Sequence, residues 1–173
     1  PRAWAAALNR PLPRAAIAAL VLAATTTGLV VAHRPDGKLR ITALDVGQGD
    51  AILVEGPRGS RVLIDGGPDP ERLVAALDAR LAPWDRRIDI VILTHPHEDH
   101  IAGLPLVLER YRIGQALDTG MRGTGPAFRA WELTLALRGI ARGRLQTGAS
   151  FTIDGVRFSV LWPDAGMVSD GSV

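Results

Sequence analysis

The chain has 173 residues, 47% of them apolar and 22% charged, which allows one domain with an appendage and excludes disordered, collagen-like and mucin-like chains. It contains no cysteine, so a disulfide scaffold, a thiolate zinc site, an iron–sulfur cluster and a cysteine nucleophile are excluded, and His and carboxylates remain as the strong metal ligands. The net charge of +2 hides a division: residues 1–40 carry six basic groups, among them Arg2 and Arg10, against Asp36, while residues 41–173 carry 14 basic and 17 acidic groups. The high isoelectric point therefore belongs in part to the tail and does not mark the rest as a general nucleic-acid binder.

The first element is an uncharged run of 18 residues, Ala15 to Ala32, bracketed by Arg14 and by His33 and Arg34. At about 1.5 Å per residue it just spans a hydrocarbon core. It predicts a membrane helix, with a secretory signal ending at the small residue Ala32 as the alternative. A buried amphipathic helix fits less well, because Ala15 to Leu22 offers no polar face. Three basic residues on each side leave the orientation open. Residues 1–37 are thus read as a membrane or export segment with its linker, and 38–173 as a folded domain. The absence of an initiator Met at Pro1 leads us to expect a piece of something longer.

After the turn-forming Pro35, Asp36 and Gly37, short apolar runs follow. Leu39 to Leu44, Ala51 to Val54 and Arg61 to Ile64 read as strands. Pro70 to Leu81 has a helical apolar face (Leu73, Val74, Leu77, Leu81), with Asp69 as cap and Pro70 in the first position. Then come a strand at Ile88 to Leu93, a short helix at Leu104 to Tyr111, a strand at Ile113 to Leu117 and a helix at Pro126 to Ile140. Phe151 to Ile153 and Arg157 to Leu161 form a hairpin across Asp154 and Gly155. A meander followed by alternating strands and helices predicts a layered α/β domain.

Three of the four histidines fall in Thr94-His95-Pro96-His97-Glu98-Asp99-His100, directly after the strand ending at Leu93. In extended chain His95 and His97 point to one side and can share a metal ion, while Asp99 and His100, past a turn, can reach a second. Such a site suits one or two divalent ions, with zinc, manganese and iron fitting the residue types equally and zinc or manganese expected, and hydrolytic chemistry without a protein nucleophile. Glu98 is expected to face solvent. Asp45, Gln48 and Asp50, and Asp65 with its two glycines, are either site or turn residues.

The spacing His-x-His-x-Asp-His after an apolar strand resembles the signature of the metallo-β-lactamase superfamily. Together with Leu44 to Ala51 (LDVGQGDA), Leu63 to Gly67 (LIDGG) and Leu93 to Gly103 (LTHPHEDHIAG), it is similar to the soluble domain of ComEC-type DNA-internalisation proteins of natural competence. The resemblance covers about residues 38–163. It implies an αββα sandwich of which the first half is present, preceded by the membrane helix, and a cell-membrane location. It implies metal ligands His95, His97, Asp99 and His100, with Asp99 also placed to handle a proton and Asp65 steadying the site from behind. DNA, the membrane and the rest of a larger membrane protein would be the partners, and phosphodiester hydrolysis the activity, with hydrolysis of another ester, thioester or lactam, or a non-catalytic metal- or DNA-binding role in a transport channel, as the alternatives. The superfamily completes its site with two later histidines and a bridging aspartate. No histidine follows His100, and Asp118, Asp154, Asp164 and Asp170 stand in no ligand motif. The expectation is a truncated domain, inactive by itself.

Overall fold

The computed structural model describes residues 13–164; Arg2, Arg10 and Asp170 lie outside them. The chain divides between Arg34 and Pro35 into two units. In the first, α1 (Arg14–Ala32) is one continuous helix, the one helix among the described residues long and apolar enough to cross a membrane. Secretory signals and core helices of soluble proteins share that length and composition. Its threonines are accommodated internally. Thr25 Oγ1 donates to the carbonyls of Val21 (3.0 Å) and Leu22 (2.9 Å), and Thr26 Oγ1 to Leu22 (2.8 Å), so these hydroxyls need no outside partner.

The second unit is built on a six-stranded sheet in simple order: β1 (Arg40–Ala43), β2 (Ile52–Glu55), β3 (Arg61–Ile64), β4 (Arg87–Leu93), β5 (Arg112–Asp118) and β6 (Arg142–Arg144). The first three strands pair antiparallel and the last four parallel, giving a mixed sheet. Each parallel step needs a crossover. These are α2 (Pro70–Asp78), then α3 (Glu98–Ile101) with α4 (Leu104–Arg110), then α5 (Pro126–Arg138). Because the strand order never reverses, right-handed crossovers put every helix on the same face. Leu73 and Leu77 of α2, Val107 and Leu108 of α4, and Trp131 and Leu135 of α5 pack there against Leu53, Leu63, Val91 and Ala116.

The alternate strand residues Val54, Val62, Ile92 and Leu117 turn to the opposite face, where Phe151 and Phe158 of the hairpin β7 (Ser150–Ile153) and β8 (Val156–Ser159) meet them. This two-sided burial explains why the strands read as unbroken apolar runs. Of the expected αββα sandwich, the described residues contain one helical layer, the mixed sheet and this two-stranded second sheet.

Asp69 caps α2 as its sequence predicts, accepting from the backbone N–H groups of Glu71 and Arg72. The helix ends at Asp78 instead of Leu81, although Leu81 is still buried. The helix from Pro126 stops at Arg138, not Ile140, because Gly139 takes a left-handed conformation (φ 62°) and closes it. Two elements were not anticipated, the turn of helix α3 and the strand β6. Arg-Gly-Arg has no apolar pattern of its own, and it is a strand because β5 offers it a free edge: Ala116, Leu117 and Asp118 pair with Arg142, Gly143 and Arg144.

Candidate metal centre

The parallel arrangement gathers the carboxyl ends of β3, β4 and β5 at one edge of the sheet, the place where open α/β sheets form their sites. Asp65 follows β3, Thr94 and the histidines follow β4, and Thr119 follows β5. Asp65 is a non-glycine residue in left-handed backbone (φ 58°), which Asp tolerates better than most. Its N–H donates to the carbonyl of Ile92 (2.8 Å), and its side chain, 4% exposed, turns under the β4 loop.

Asp65 organises that loop. Its Oδ1 accepts from the Thr94 N–H (2.8 Å), and its Oδ2 accepts from Thr94 Oγ1 (2.5 Å) and from His100 Nδ1 (2.9 Å). With the Thr94 proton committed to Asp65, His95 Nδ1 is left to donate to Thr94 Oγ1, 3.0 Å away. The network thereby assigns both His95 and His100 the tautomer protonated on Nδ1, leaving each Nε2 as a lone-pair donor. Burial first, then neighbouring His100 and His97, push the His95 imidazole below its ordinary pKa. Neutral rings are the form that binds metal.

The structure brings Asp65, His95 and His100 together, each offering an atom within 4.8 Å of the others. The His95 ring lies between its partners, 3.9 Å from the His100 centroid and 4.7 Å from that of His97. Asp99 Oδ2 stands 3.6 Å from His100 Nε2, on the side of the ring where a ligand lone pair would point, and its side chain is 55% exposed. His97 is also exposed. Of the five residues singled out in the sequence, Asp65, His95 and His100 form that group, and His97 and Asp99 stand beside it. Three imidazoles beside two carboxylates are a donor set that fits a divalent ion of the zinc or manganese type.

The loops meet backbone to backbone. Gly66 N–H donates to the His100 carbonyl (2.7 Å) and Gly103 N–H to that of Gly67 (3.0 Å). A Cβ at Gly103 would lie 2.1 Å from the Gly66 oxygen, and one at Gly49 would lie 2.2 Å from the Asp99 oxygen. These glycines allow the three loops to approach closely. Within Leu44 to Ala51, the Asp45 carboxylate faces the Gly47 N–H at 3.4 Å and the Asp50 carbonyl accepts from Gly67 N–H at 2.9 Å. In the described contacts this segment braces the site through its backbone.

Glu98 is exposed, as the sequence leads us to expect. Although exposed, it is engaged: its Oε1 accepts from Ala127 N–H at 3.4 Å, so the carboxylate sits on the N-terminus of α5, where a negative charge is favoured. Asp118, beside Leu93 across the β4–β5 ladder, is buried and holds Arg142 Nε at 2.5 Å. Asp154 lies in the hairpin turn and binds Arg58 and Ser60, between β2 and β3, at the other end of the sheet. Thr94 had no role assigned from sequence; a hydroxyl directly before the first histidine was the available signal.

A His/Asp cluster at the carboxyl ends of parallel strands in an α/β sheet is a candidate metal site. Residues 44–120 match the family model of the metallo-beta-lactamase superfamily, and over that segment the chain, with its α/β fold and mixed sheet, is similar to that superfamily. Over 76 residues the chain is 36% identical to ribonuclease Z of Bradyrhizobium diazoefficiens, a match covering 44% of this chain and 24% of that protein. Among solved structures it is similar to Rm3 metallo-beta-lactamase (21% identity, 74% of this chain, 49% of that one, TM-score 0.47). It is also similar to a flavo di-iron protein from Thermotoga maritima (17% identity, 70% and 35%, TM-score 0.42). The chain thus spans about a quarter of the curated relative and half or less of these structures.

Proposed function

We propose that this segment forms the metal-holding part of a membrane-tethered hydrolase that cleaves phosphodiesters of nucleic acid, in a protein of DNA uptake. The observation that carries the reading is the cluster itself: His95 and His100 are each locked at Nδ1 by the Thr94 and Asp65 network, with His97 and Asp99 beside them on the open side. His95 and His97 would hold one ion, and Asp99 with His100 a second. A bound divalent ion supplies Lewis-acid polarisation of a phosphoryl oxygen and acidification of water. The protein's own contribution is orientation. Asp65 holds the His100 ring, Thr94 the His95 ring, and the exposed Asp99 carboxylate is free to accept a proton from an attacking water. The nuclease reading is supported by the similarity to a protein named ribonuclease, and the tether by the apolar helix α1. The uptake role rests on the three motifs around Asp45, Asp65 and His95. The ribonuclease similarity also favours a second reading, with RNA in place of DNA as substrate.

The test is elemental analysis of the purified protein with and without the double substitution His95→Ala and His97→Ala, which should remove stoichiometric metal. Unchanged metal content would place the site elsewhere. Turnover of bis(p-nitrophenyl) phosphate, single-stranded DNA and RNA with added zinc or manganese then checks the chemistry. Absence of metal-dependent turnover on all three by the full-length protein would refute the hydrolase reading, and cleavage of RNA alone would replace DNA as the substrate.

A further inference from the structure

Beside the histidine loop lies a groove of about 420 Å³, walled by the loop after β5 (Gly120, Met121, Arg122) and by Phe128, Arg129 and Glu132 of α5, with Arg142 at its base. It adjoins the candidate metal centre directly. Thr119 Oγ1 donates to the Thr94 carbonyl (3.1 Å), Glu98 reaches Ala127 (3.4 Å), and a Cβ on Gly123 would lie 2.8 Å from the Pro96 side chain. Gly123, which lines the groove, thus packs against the loop that carries His95 and His97.

The charges in the groove are unevenly satisfied. Arg142 is neutralised by buried Asp118 (2.5 Å) and by Glu132 (3.3 Å). Arg129 is pinned by a hydrogen bond from Nη1 to the Thr124 carbonyl (2.7 Å), a contact that orients the guanidinium without cancelling its charge. Arg122 is exposed, and among the described residues neither it nor Arg129 forms an ion pair. Arg144, whose Nε donates to the Thr119 carbonyl (3.3 Å), adds a further positive charge behind Gly120. Four arginines face two carboxylates, both of which are spent on Arg142. A solvated helical face would have no reason to share one concave surface between a loop arginine and a helix arginine that form no ion pair among the described residues. Planar forked donors of this kind match phosphate oxygens.

We infer that this groove is a phosphate-binding subsite in which Arg122 and Arg129 hold a backbone phosphate of single-stranded nucleic acid next to the one cleaved. The inference rests on the phosphodiesterase reading for its substrate, yet its test does not depend on catalysis. Fluorescence anisotropy of a labelled single-stranded oligonucleotide, as DNA and as RNA, is measured in EDTA over a salt series. Wild-type protein is compared with the double substitution Arg122→Ala and Arg129→Ala, and with Arg80→Ala beyond the far end of α2. The double variant should bind roughly tenfold more weakly or worse, and its slope of log affinity against log salt should be shallower by about 0.7, the counterion release of one single-strand phosphate contact. Arg80→Ala should match wild type. An unchanged affinity and slope in the double variant would overturn the subsite, as would equal loss in Arg80→Ala or no wild-type binding to either strand. Binding through these arginines, with no metal-dependent turnover by the full-length protein, would sink the hydrolase reading and leave the subsite standing. A preference between the DNA and RNA arms identifies which backbone it takes.

Discussion

Asp65 carries more of the site than any ligand does. One carboxylate receives three hydrogen bonds, from the Thr94 backbone, the Thr94 hydroxyl and His100, and through them it sets the tautomers of two imidazoles. Replacing it with Asn retains a residue that tolerates the left-handed backbone of this position, so the backbone is left in place and only the hydrogen bonding changes. An amide has a single acceptor oxygen, and its NH2 would face the Thr94 hydroxyl or the His100 N–H. Asp65→Asn should therefore weaken metal affinity by about 10- to 100-fold in a chelator competition without unfolding the protein. Wild-type affinity would reduce Asp65 to a turn residue. The histidine cluster itself is legible in the sequence, because its members lie within six residues. Asp65 is attached to it only by likeness to a family, since 35 residues of chain separate it from His100.

At the scale of elements, Asp154 shows how a turn residue can also fasten a layer. Asp154 and Gly155 both have positive φ (56° and 80°), as a two-residue type I′ hairpin turn requires, and this much follows from the dipeptide. What does not follow is that the Asp154 carboxylate reaches the loop between β2 and β3, accepting from Arg58 N–H (2.6 Å), the Arg58 guanidinium and the Ser60 hydroxyl (3.2 Å). Burial acts to raise its pKa, but the hydrogen bonds from Arg58 and Ser60 outweigh that and hold it down to about 2 from 3.8. A carboxyl depressed in the folded state contributes stability that is present above the unfolded value near 4 and is lost as pH falls through 4 toward 2. Asp154→Asn keeps the turn chemistry and removes the charge. The thermal midpoint of wild type should exceed that of the variant at pH 7, and the gap should close by pH 2. A gap independent of pH would show that the carboxylate charge is not what fastens the hairpin.

At the scale of the molecule, strand order decides where everything else goes. Four parallel strands added in one direction send all crossovers to one face, leave the other face to the hairpin, and bring three strand ends to one edge, where the metal cluster and the arginine groove form side by side. The tail is a separate matter of composition. If α1 crosses a membrane, as proposed, an arginine at its centre is expected to cost about 2.5–3.5 kcal/mol of insertion free energy. Leu22→Arg should therefore shift the protein from the membrane to the soluble fraction in a flotation assay. An intact N-terminus in the wild-type membrane fraction identifies an anchor, and a chain shortened near Ala32 identifies a cleaved signal. Retention of Leu22→Arg in the membrane at wild-type level would locate the membrane contact outside α1.

Features that depend on neighbours in the chain could be read directly. The apolar run of α1, the Asp69 cap, the Asp154-Gly155 turn, the strand runs and the imidazole cluster each arise from local propensity or hydrophobic period, which a sequence displays. Features that depend on which strands lie side by side could not. Arg142 to Arg144 is a strand only because β5 has a free edge. Glu98 is engaged only because α5 begins beside it. Arg122 and Arg129 become a pair only because a loop and a helix enclose one groove. Asp65 reaches His100 because parallel pairing sets Ile64 against Ile92 and so brings the residues that follow the two strands to the same edge. Each of these is a contact between segments distant in sequence, and the interaction that creates it is packing of whole elements, for which no local pattern of residues is the cause.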